Sequence, residues 1–203
     1  LTVTAAGLGV FNTLNIGDTA LDTSVTFNDS AANTYTDDFS ITLDNATVGP
    51  AIAFSGATTF GGASTLTAST TNSILVNTGA SVTMGTGALS LTTTTGGSIT
   101  FNGAVTSTGA VNVNTGAGAG DVLFSNPAGL NGGFSLGVTA GTGDVVFTGA
   151  VGSGTPLTSV TIASAKNVTF MSTVQTTGVV TQTAGTGTTT FKGTSGAGIG
   201  GAL

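Results

Sequence analysis

Side chains able to do acid–base or metal chemistry are scarce in this chain of 203 residues. The chain has eight Asp and two Lys (Lys166 and Lys192), and it has no His, Glu, Arg or Cys. General acid–base catalysis draws mainly on His, Glu, Asp and Lys, and bidentate phosphate binding draws on Arg. The composition therefore predicts that the chain is not an enzyme, and a net charge of -6 argues against a nucleic-acid partner.

The aspartates are concentrated near the start of the sequence, where six of the eight lie within the first 44 residues. Asp29, Asp37 and Asp38 belong to one stretch that is longer than the phrases that follow it. Ca²⁺ prefers six to eight oxygen ligands, which carboxylates in such a loop can supply. These three residues are the candidate ligands of a calcium site, but a solvated acidic surface is the preferred interpretation. No other cofactor is predicted.

The two remaining aspartates, Asp121 and Asp144, directly follow two similar Gly-rich phrases, GAGAG and AGTG. If the chain forms stacked coils, their carboxylates lie one strand spacing apart, at roughly 5 Å. Like charges so placed repel each other unless a cation intervenes, and Lys166 is a candidate to neutralise Asp144. A structural pairing is preferred here over a catalytic pair.

The elements that position these residues are indicated by a recurring phenylalanine. Phe101 is followed by Phe124, Phe147, Phe170 and Phe191, so the same residue type returns at a nearly constant interval. Short segments of alternating apolar and polar residues between Gly-rich breaks are typical of β-strands, and a recurrence of about 23 residues is typical of a solenoid. The sequence predicts an all-β parallel β-helix (β-solenoid) of about nine coils with three short strands per coil. The alternative is a β-sandwich, which does not explain the regular return of Phe.

Alignment of the coils predicts a column of inward pairs in the first strand of each. These pairs are Val25/Phe27, Ile52/Phe54, Ile74/Val76, Ile99/Phe101, Val122/Phe124, Val145/Phe147, Val168/Phe170 and Thr189/Phe191. A second strand is expected at Val105, Val151 and Val174, and a third at Val111/Val113, Phe134/Leu136, Val160/Ile162 and Val180. Corners are expected at the Gly-rich residues 116–120 and 140–143, because glycine accepts a positive φ.

We predict one solenoid over residues 1–203. Residues 1–97 form irregular coils with an acidic loop inserted near Ala31 to Asn33, and residues 98–203 form regular coils. Hydrophobic residues make up 39% of the chain and no apolar run is long enough for a membrane helix, so neither disorder nor membrane insertion is expected. The lack of a polar cap at either terminus predicts a fragment or subunit of a longer rod.

Two phrases, GDVVFTGAVGSGTPLTSVTIASAKNVTF (residues 143–170) and VVTQTAGTGTTTFKG (residues 179–193), resemble the β-strand repeats of giant bacterial surface proteins. The similarity is to filamentous-haemagglutinin-like adhesins and autotransporter-type passengers, and it extends from about Ser98 onward. The resemblance implies an extracellular or cell-surface location and a role as stalk, fibre or adhesin. It assigns no functional residue.

Two functions follow as expectations. The first is a structural subunit or segment of an extracellular filament or stalk, which binds copies of itself head to tail through its terminal coils. The second is an adhesin module, whose loops between Ala31 and Asp44 bind host or environmental glycans with the help of calcium. Ice binding by outward Thr residues is a weak third candidate, because Leu75, Leu123 and Val146 interrupt that column.

Overall fold

The computed structural model describes residues 14–16, 25–27, 33–35, 39–43, 50–68, 73–94 and 96–193. These residues contain 21 β-strands, numbered here in chain order, and every pairing between them is parallel. A β-sandwich is built from antiparallel strands, so the pairing excludes that alternative. The described part contains no helix, and hence none long and apolar enough to cross a membrane.

The strands form three sheets, one on each side of the solenoid. The phenylalanine sheet consists of β2 (Val25–Phe27), β5 (Ile52–Phe54), β8 (Ile74–Val76), β11 (Ile99–Phe101), β14 (Val122–Phe124), β17 (Val145–Phe147), β19 (Val168–Phe170) and β21 (Thr189–Phe191). The long-strand sheet consists of β1 (Leu14–Ile16), β4 (Phe39–Leu43), β7 (Ser64–Ala68), β10 (Leu89–Thr93), β13 (Val111–Asn114), β16 (Ser135–Thr139), β18 (Ser159–Ser164) and β20 (Val180–Gln182). The five-stranded sheet consists of β3 (Asn33–Tyr35), β6 (Ala57–Phe60), β9 (Ser81–Met84), β12 (Ala104–Ser107) and β15 (Leu130–Asn131).

The predicted parallel solenoid with three strands per coil is confirmed, with about six turns in the described part. Five coils contribute a strand to every sheet. After β15 the five-stranded sheet continues only as isolated bridges at Val151 and Val174.

The prediction of about nine coils with a constant period of about 23 residues is not confirmed. In the phenylalanine sheet the interval between paired residues is longest from Val25 to Ile52 and shortest from Val168 to Thr189. It is constant only from Ile99 to Val168. The coils therefore differ in length, and the strands are kept in register by loops that absorb the difference.

The core is a stack of phenylalanine rings. Ring centroids of successive residues lie 4.6–4.8 Å apart and their planes are within 7° of parallel, for Phe101, Phe124, Phe147, Phe170 and Phe191. The rings stack because parallel in-register strands place each residue one strand spacing, about 4.8 Å, above its counterpart. Burial of such a side chain stabilises the fold by roughly 1.5–3 kcal/mol. This column is the predicted one, and it is confirmed.

The inward column departs from a continuous buried stack in two places. Val76 takes the ring position between Phe54 and Phe101, so the stack is interrupted there. Phe54 instead packs edge-on against Phe60, with centroids 6.2 Å apart. In the last described coil β21 has a reversed burial pattern, with Thr189 exposed and Phe191 40% exposed. Thr189 and Phe191 keep their predicted register in the column, and Phe191 is stacked on Phe170, but this last described pair is less buried than the pairs before it.

The sequence prediction places one strand of the long-strand sheet, β16, two residues too early. Val111 and Val113 are paired with Leu136 and Val138, not with Phe134 and Leu136. Phe134 is buried just before β16 begins. The shift arises in the five-stranded sheet, where Leu130 takes the position that Val105 occupies one coil earlier. Leu130 comes six residues after Phe124, whereas Val105 comes four residues after Phe101.

Buried hydroxyl groups hold the corners between sheets. Thr115 Oγ1 donates a hydrogen bond to Gly120 O at 2.7 Å, Ser107 Oγ donates to Gly109 O at 2.6 Å, and Thr176 Oγ1 donates to Gly178 O at 2.7 Å. Gly116 and Gly141 have φ values of 77° and 53°, which confirms the predicted left-handed corners in their two phrases. A Cβ on Gly141 would also lie 2.5 Å from Ala117 C. This corner therefore requires glycine both for its positive φ and for its close backbone contact.

Thr58 in β6 has a side chain 1% exposed, and its Oγ1 has no hydrogen-bond partner among the residues described. It is paired in register with Val82, a buried apolar residue. An unsatisfied buried hydroxyl costs about 1–3 kcal/mol. We expect Thr58→Val to raise the free energy of unfolding in urea by about 1 kcal/mol. The matched change Thr59→Val, on the outward neighbour, should leave it unchanged, and a loss of stability in Thr58→Val would contradict this account.

The middle of the ring stack should tolerate truncation poorly. Phe147 is 1% exposed and has a ring stacked on each face, whereas Phe191 has one ring neighbour in the stack. We expect Phe147→Ala to lower the free energy of unfolding by about 3–5 kcal/mol, and Phe191→Ala to lower it by less than half as much. Urea denaturation followed by circular dichroism measures both. Equal losses would show that stacking on both faces is not what stabilises the core.

Candidate functional site

The most regular polar arrangement in the described chain is a ladder at one corner of the solenoid, formed by Ser98, Asp121, Asp144, Asn167 and Thr188. We call it the corner ladder. Each member directly precedes a strand of the phenylalanine sheet, from β11 to β21. The residues lie above one another because the strands they introduce are paired in register. The predicted equivalence of Asp121 and Asp144 is therefore confirmed.

The first four side chains of the corner ladder each accept a hydrogen bond from the backbone N–H of the next member. Asp121 N donates to Ser98 Oγ at 3.1 Å, and Asp144 N donates to Asp121 Oδ1 at 2.8 Å. Asn167 N and Nδ2 both donate to Asp144 Oδ1, at 3.1 and 2.9 Å, and Thr188 N donates to Asn167 Oδ1 at 3.0 Å. The same residues accept bonds at their carbonyl oxygens from the strand residues of the preceding coil, such as Ile99 N to Asp121 O at 2.9 Å.

The partner of the Asp144 carboxylate is therefore Asn167 and not Lys166. Lys166 is exposed, and within the described part of the chain its side chain makes no ion pair with any carboxylate. Its backbone N–H donates to Gly143 O at 2.7 Å, so the residue takes part in coil pairing through its main chain. A carboxylate that accepts backbone and amide N–H groups is stabilised without a neighbouring cation. The prediction that Lys166 neutralises Asp144 is wrong.

The predicted calcium ligands Asp29, Asp37 and Asp38 lie outside the described residues, as do residues 31 and 32 of the predicted inserted loop. Asn33 begins β3 and so belongs to a strand. Over residues 50–68, 73–94 and 96–193 and the shorter described segments, no three carboxylates converge on a position that would hold a metal ion. The calcium site stays a prediction.

The outer face of the long-strand sheet carries two columns of small uncharged side chains that the sequence prediction missed. We call it the hydroxyl face. One column, two residues from the other along each strand, consists of Ser40, Thr65, Ser90, Asn112, Gly137, Thr161 and Thr181. The second consists of Thr42, Thr67, Thr92, Asn114, Thr139 and Ser164. Apart from Gly137, these residues present hydroxyl and amide groups at the spacing of the strands.

The hydroxyl face could have been found from the sequence. Several of its strands alternate a buried apolar residue with an outward polar one, as in the segment Val111–Asn114. The prediction instead followed the outward residues of the phenylalanine sheet. There Leu75, Leu123 and Val146 do interrupt the Thr column, and Ala53 is buried.

A cavity of about 260 Å³ lies where the described coils end. Its walls include Ile162, Phe170, Val180 and Phe191, and its polar lining consists of Thr and Gln side chains without charge. Phe191 is stacked on Phe170 at 4.8 Å, and its ring is 40% exposed. The β20 and β21 strands are each the last strand of their sheet among the residues described. The cavity is therefore a continuation of the core toward the edge of the sheets.

No protein-family model, curated protein or solved structure matches this chain.

The corner ladder makes a prediction that separates coil pairing from cation binding. Asp144→Ala removes the acceptor for two N–H groups of Asn167 and should lower the free energy of unfolding by about 1–2 kcal/mol. Asp144→Asn keeps an oxygen acceptor without the charge and should cost less than about 0.5 kcal/mol. Urea denaturation with and without added CaCl₂ measures both. A loss in Asp144→Asn equal to that in Asp144→Ala, or wild-type stabilisation by calcium that either change abolishes, would show that the charge holds an ion.

Proposed function

We propose that this chain is a structural segment of an extracellular filament or surface stalk, extended end to end by further β coils. In this proposal residues 1–203 are one solenoid of about nine coils with a period of about 23 residues. The observation that carries it is the ring stack that ends at Phe191 with an exposed face, above an apolar cavity, at the edge of two parallel sheets. An open parallel edge with an exposed core is a template for further strands.

The chemistry of the described surface supports a structural role. Asp121 and Asp144, which are the aspartates in the regular coils, are hydrogen-bonded to the main chain of the following coil. Lys166 and Lys192 are exposed, and neither side chain makes a contact with another charged group among the described residues. The proposal therefore assigns no catalytic residue to the chain and no role to nucleic acid.

The proposed location outside the cell is supported by the resemblance of residues 143–170 and 179–193 to repeats of bacterial filamentous-haemagglutinin-like and autotransporter-type surface proteins. These residues form the last regular coils of the described solenoid. A fold held together by the stacking of coils with few charges suits a stalk, because each coil contacts only its neighbours and coils can be added to the rod without changing the others.

The alternative function is an adhesin module that binds host or environmental glycans, with calcium at Asp29, Asp37 and Asp38 as an aid. The hydroxyl face favours it, because its rows of Ser, Thr and Asn offer donors and acceptors at regular intervals. The two columns of that face contain no aromatic side chain to stack on a sugar ring. The filament is preferred, because an added coil accounts for the exposed ring of Phe191 and its cavity, whereas glycan binding at the hydroxyl face does not.

We expect electron microscopy of the purified chain to show uniform fibres many subunits long. Phe191→Lys places a charge in the open core and should give single rods of about 40 Å, since neighbouring strands are about 4.8 Å apart. Thr169→Lys adds the same charge to the outer face of the adjacent β19, and its fibres should match the wild type. Circular dichroism checks that both variants are folded. Short wild-type rods that bind insoluble polysaccharide would contradict the filament and support the adhesin.

A further inference from the structure

Among the strands described, the first strand of the phenylalanine sheet has the same sequence as the strand next to its last. Its first strand, β2, reads Val-Thr-Phe, and so does β19, the strand on which β21 already lies. In that pairing Thr189, Thr190 and Phe191 face Val168, Thr169 and Phe170 respectively. The molecule thus shows that β21 accepts a Val-Thr-Phe strand as a parallel neighbour. Its other edge has no neighbour among the strands described.

The long-strand sheet ends beside the phenylalanine sheet at both tips. Its first strand among those described is β1 and its last is β20, so each tip presents one edge strand from each of the two sheets. The corners that join the long-strand sheet to the phenylalanine sheet differ in length. The corner between Ile41 and Ile52 is longer than the one between Leu66 and Ile74, yet Ile41 is paired with Leu66 and Ile52 with Ile74. Unequal corners are therefore compatible with stacking of both sheets at once.

The four terminal strands lack charged residues and proline, both of which natural sheets use to protect open edges. Their sequences are LNI, VTF, VTQ and TTF. Each is only three residues long, and the exposed Lys192 directly follows β21. Phe191 is 40% exposed, while Phe101, Phe147 and Phe170 inside the stack are 1% exposed. An added strand with an aromatic residue in register would complete the burial of this ring.

We propose that a second copy of this chain is the partner at this edge, bound head to tail. Its β2 adds to β21 in parallel, so that Thr189, Thr190 and Phe191 face Val25, Thr26 and Phe27 of the partner subunit. Its β1 adds to β20 in the same step. Such a joint is heterologous and leaves the same two edges free on the dimer, so it propagates as an open filament. This inference rests on the proposed function and specifies the register of its joint.

The register is tested with cysteine pairs, for which the chain provides a clean background because it has no Cys of its own. Thr26 and Thr190 are half-buried middle residues of β2 and β21. Parallel neighbours at about 4.8 Å lie within the Cα separation of about 4.4–6.8 Å that a disulfide requires. Under mild oxidation we expect the double variant T26C/T190C to give a ladder of covalent dimers, trimers and longer species on non-reducing gels, which a reducing agent collapses to monomer.

The control T26C/T181C moves the second cysteine to the outer face of β20, on another sheet, and should give no ladder. Each single-cysteine variant can give at most a dimer. Electron microscopy of the same samples separates two kinds of failure. Fibres without a T26C/T190C ladder, or with an equal ladder in T26C/T181C, overturn the register and leave the filament in place. Monomers without fibres or ladder, as expected where the chain's own residues cover the edge, overturn both the register and the filament.

Discussion

Parallel, in-register stacking of each coil on the one before is the constraint on which the rest of this structure depends. Because the side chains of paired strands lie about 4.8 Å from their counterparts in the next coil, a residue that packs well against a copy of itself suits such a position. Phenylalanine does so through its faces, as the centroid separations of 4.6–4.8 Å show. A charge does not, since it would repel its copy, and only 5% of the residues are charged.

Asp121 and Asp144 are the exception that clarifies this constraint. They are stacked in successive coils, yet each uses Oδ1 to accept the backbone N–H of the residue above it. A neutral Ser or Asn does the same at the ends of the series. What the corner requires is thus an oxygen acceptor of short reach, and Asp meets that requirement in spite of its charge.

The regular return of Phe was enough to predict the solenoid and its core, because an aromatic residue at a fixed interval has a single simple explanation. The exact placement of the long strands was not predictable in the same way. Phe134, Leu136 and Val138 alternate without interruption, so the pattern alone allows a strand to begin on either side of Leu136. The start of the strand is set by two extra residues between the phenylalanine sheet and the five-stranded sheet of that coil, which place Leu130 and not an earlier residue opposite Val105.

The polar sites were predicted less well than the core, and for a physical reason. Alignment of the repeats placed Asp121 over Asp144, but neighbours in sequence suggested Lys166 as the partner. Lys166 and Asn167 are consecutive, and only the geometry of the corner shows that Asn167 donates to the Asp144 carboxylate while Lys166 is exposed. The hydroxyl face was missed because its members are common residues whose alignment becomes evident only once the strand registers are known.

The corner ladder has one further consequence, because all of its side-chain bonds run the same way. Each of these side-chain oxygens accepts a backbone N–H from the coil that follows. The solenoid is therefore directional along its axis, and its N-terminal and C-terminal ends differ in the hydrogen-bonding groups of this ladder. In the proposed filament the subunits would therefore all point in one direction, the two tips would elongate at unequal rates, and a joint between two identical tips would be disfavoured.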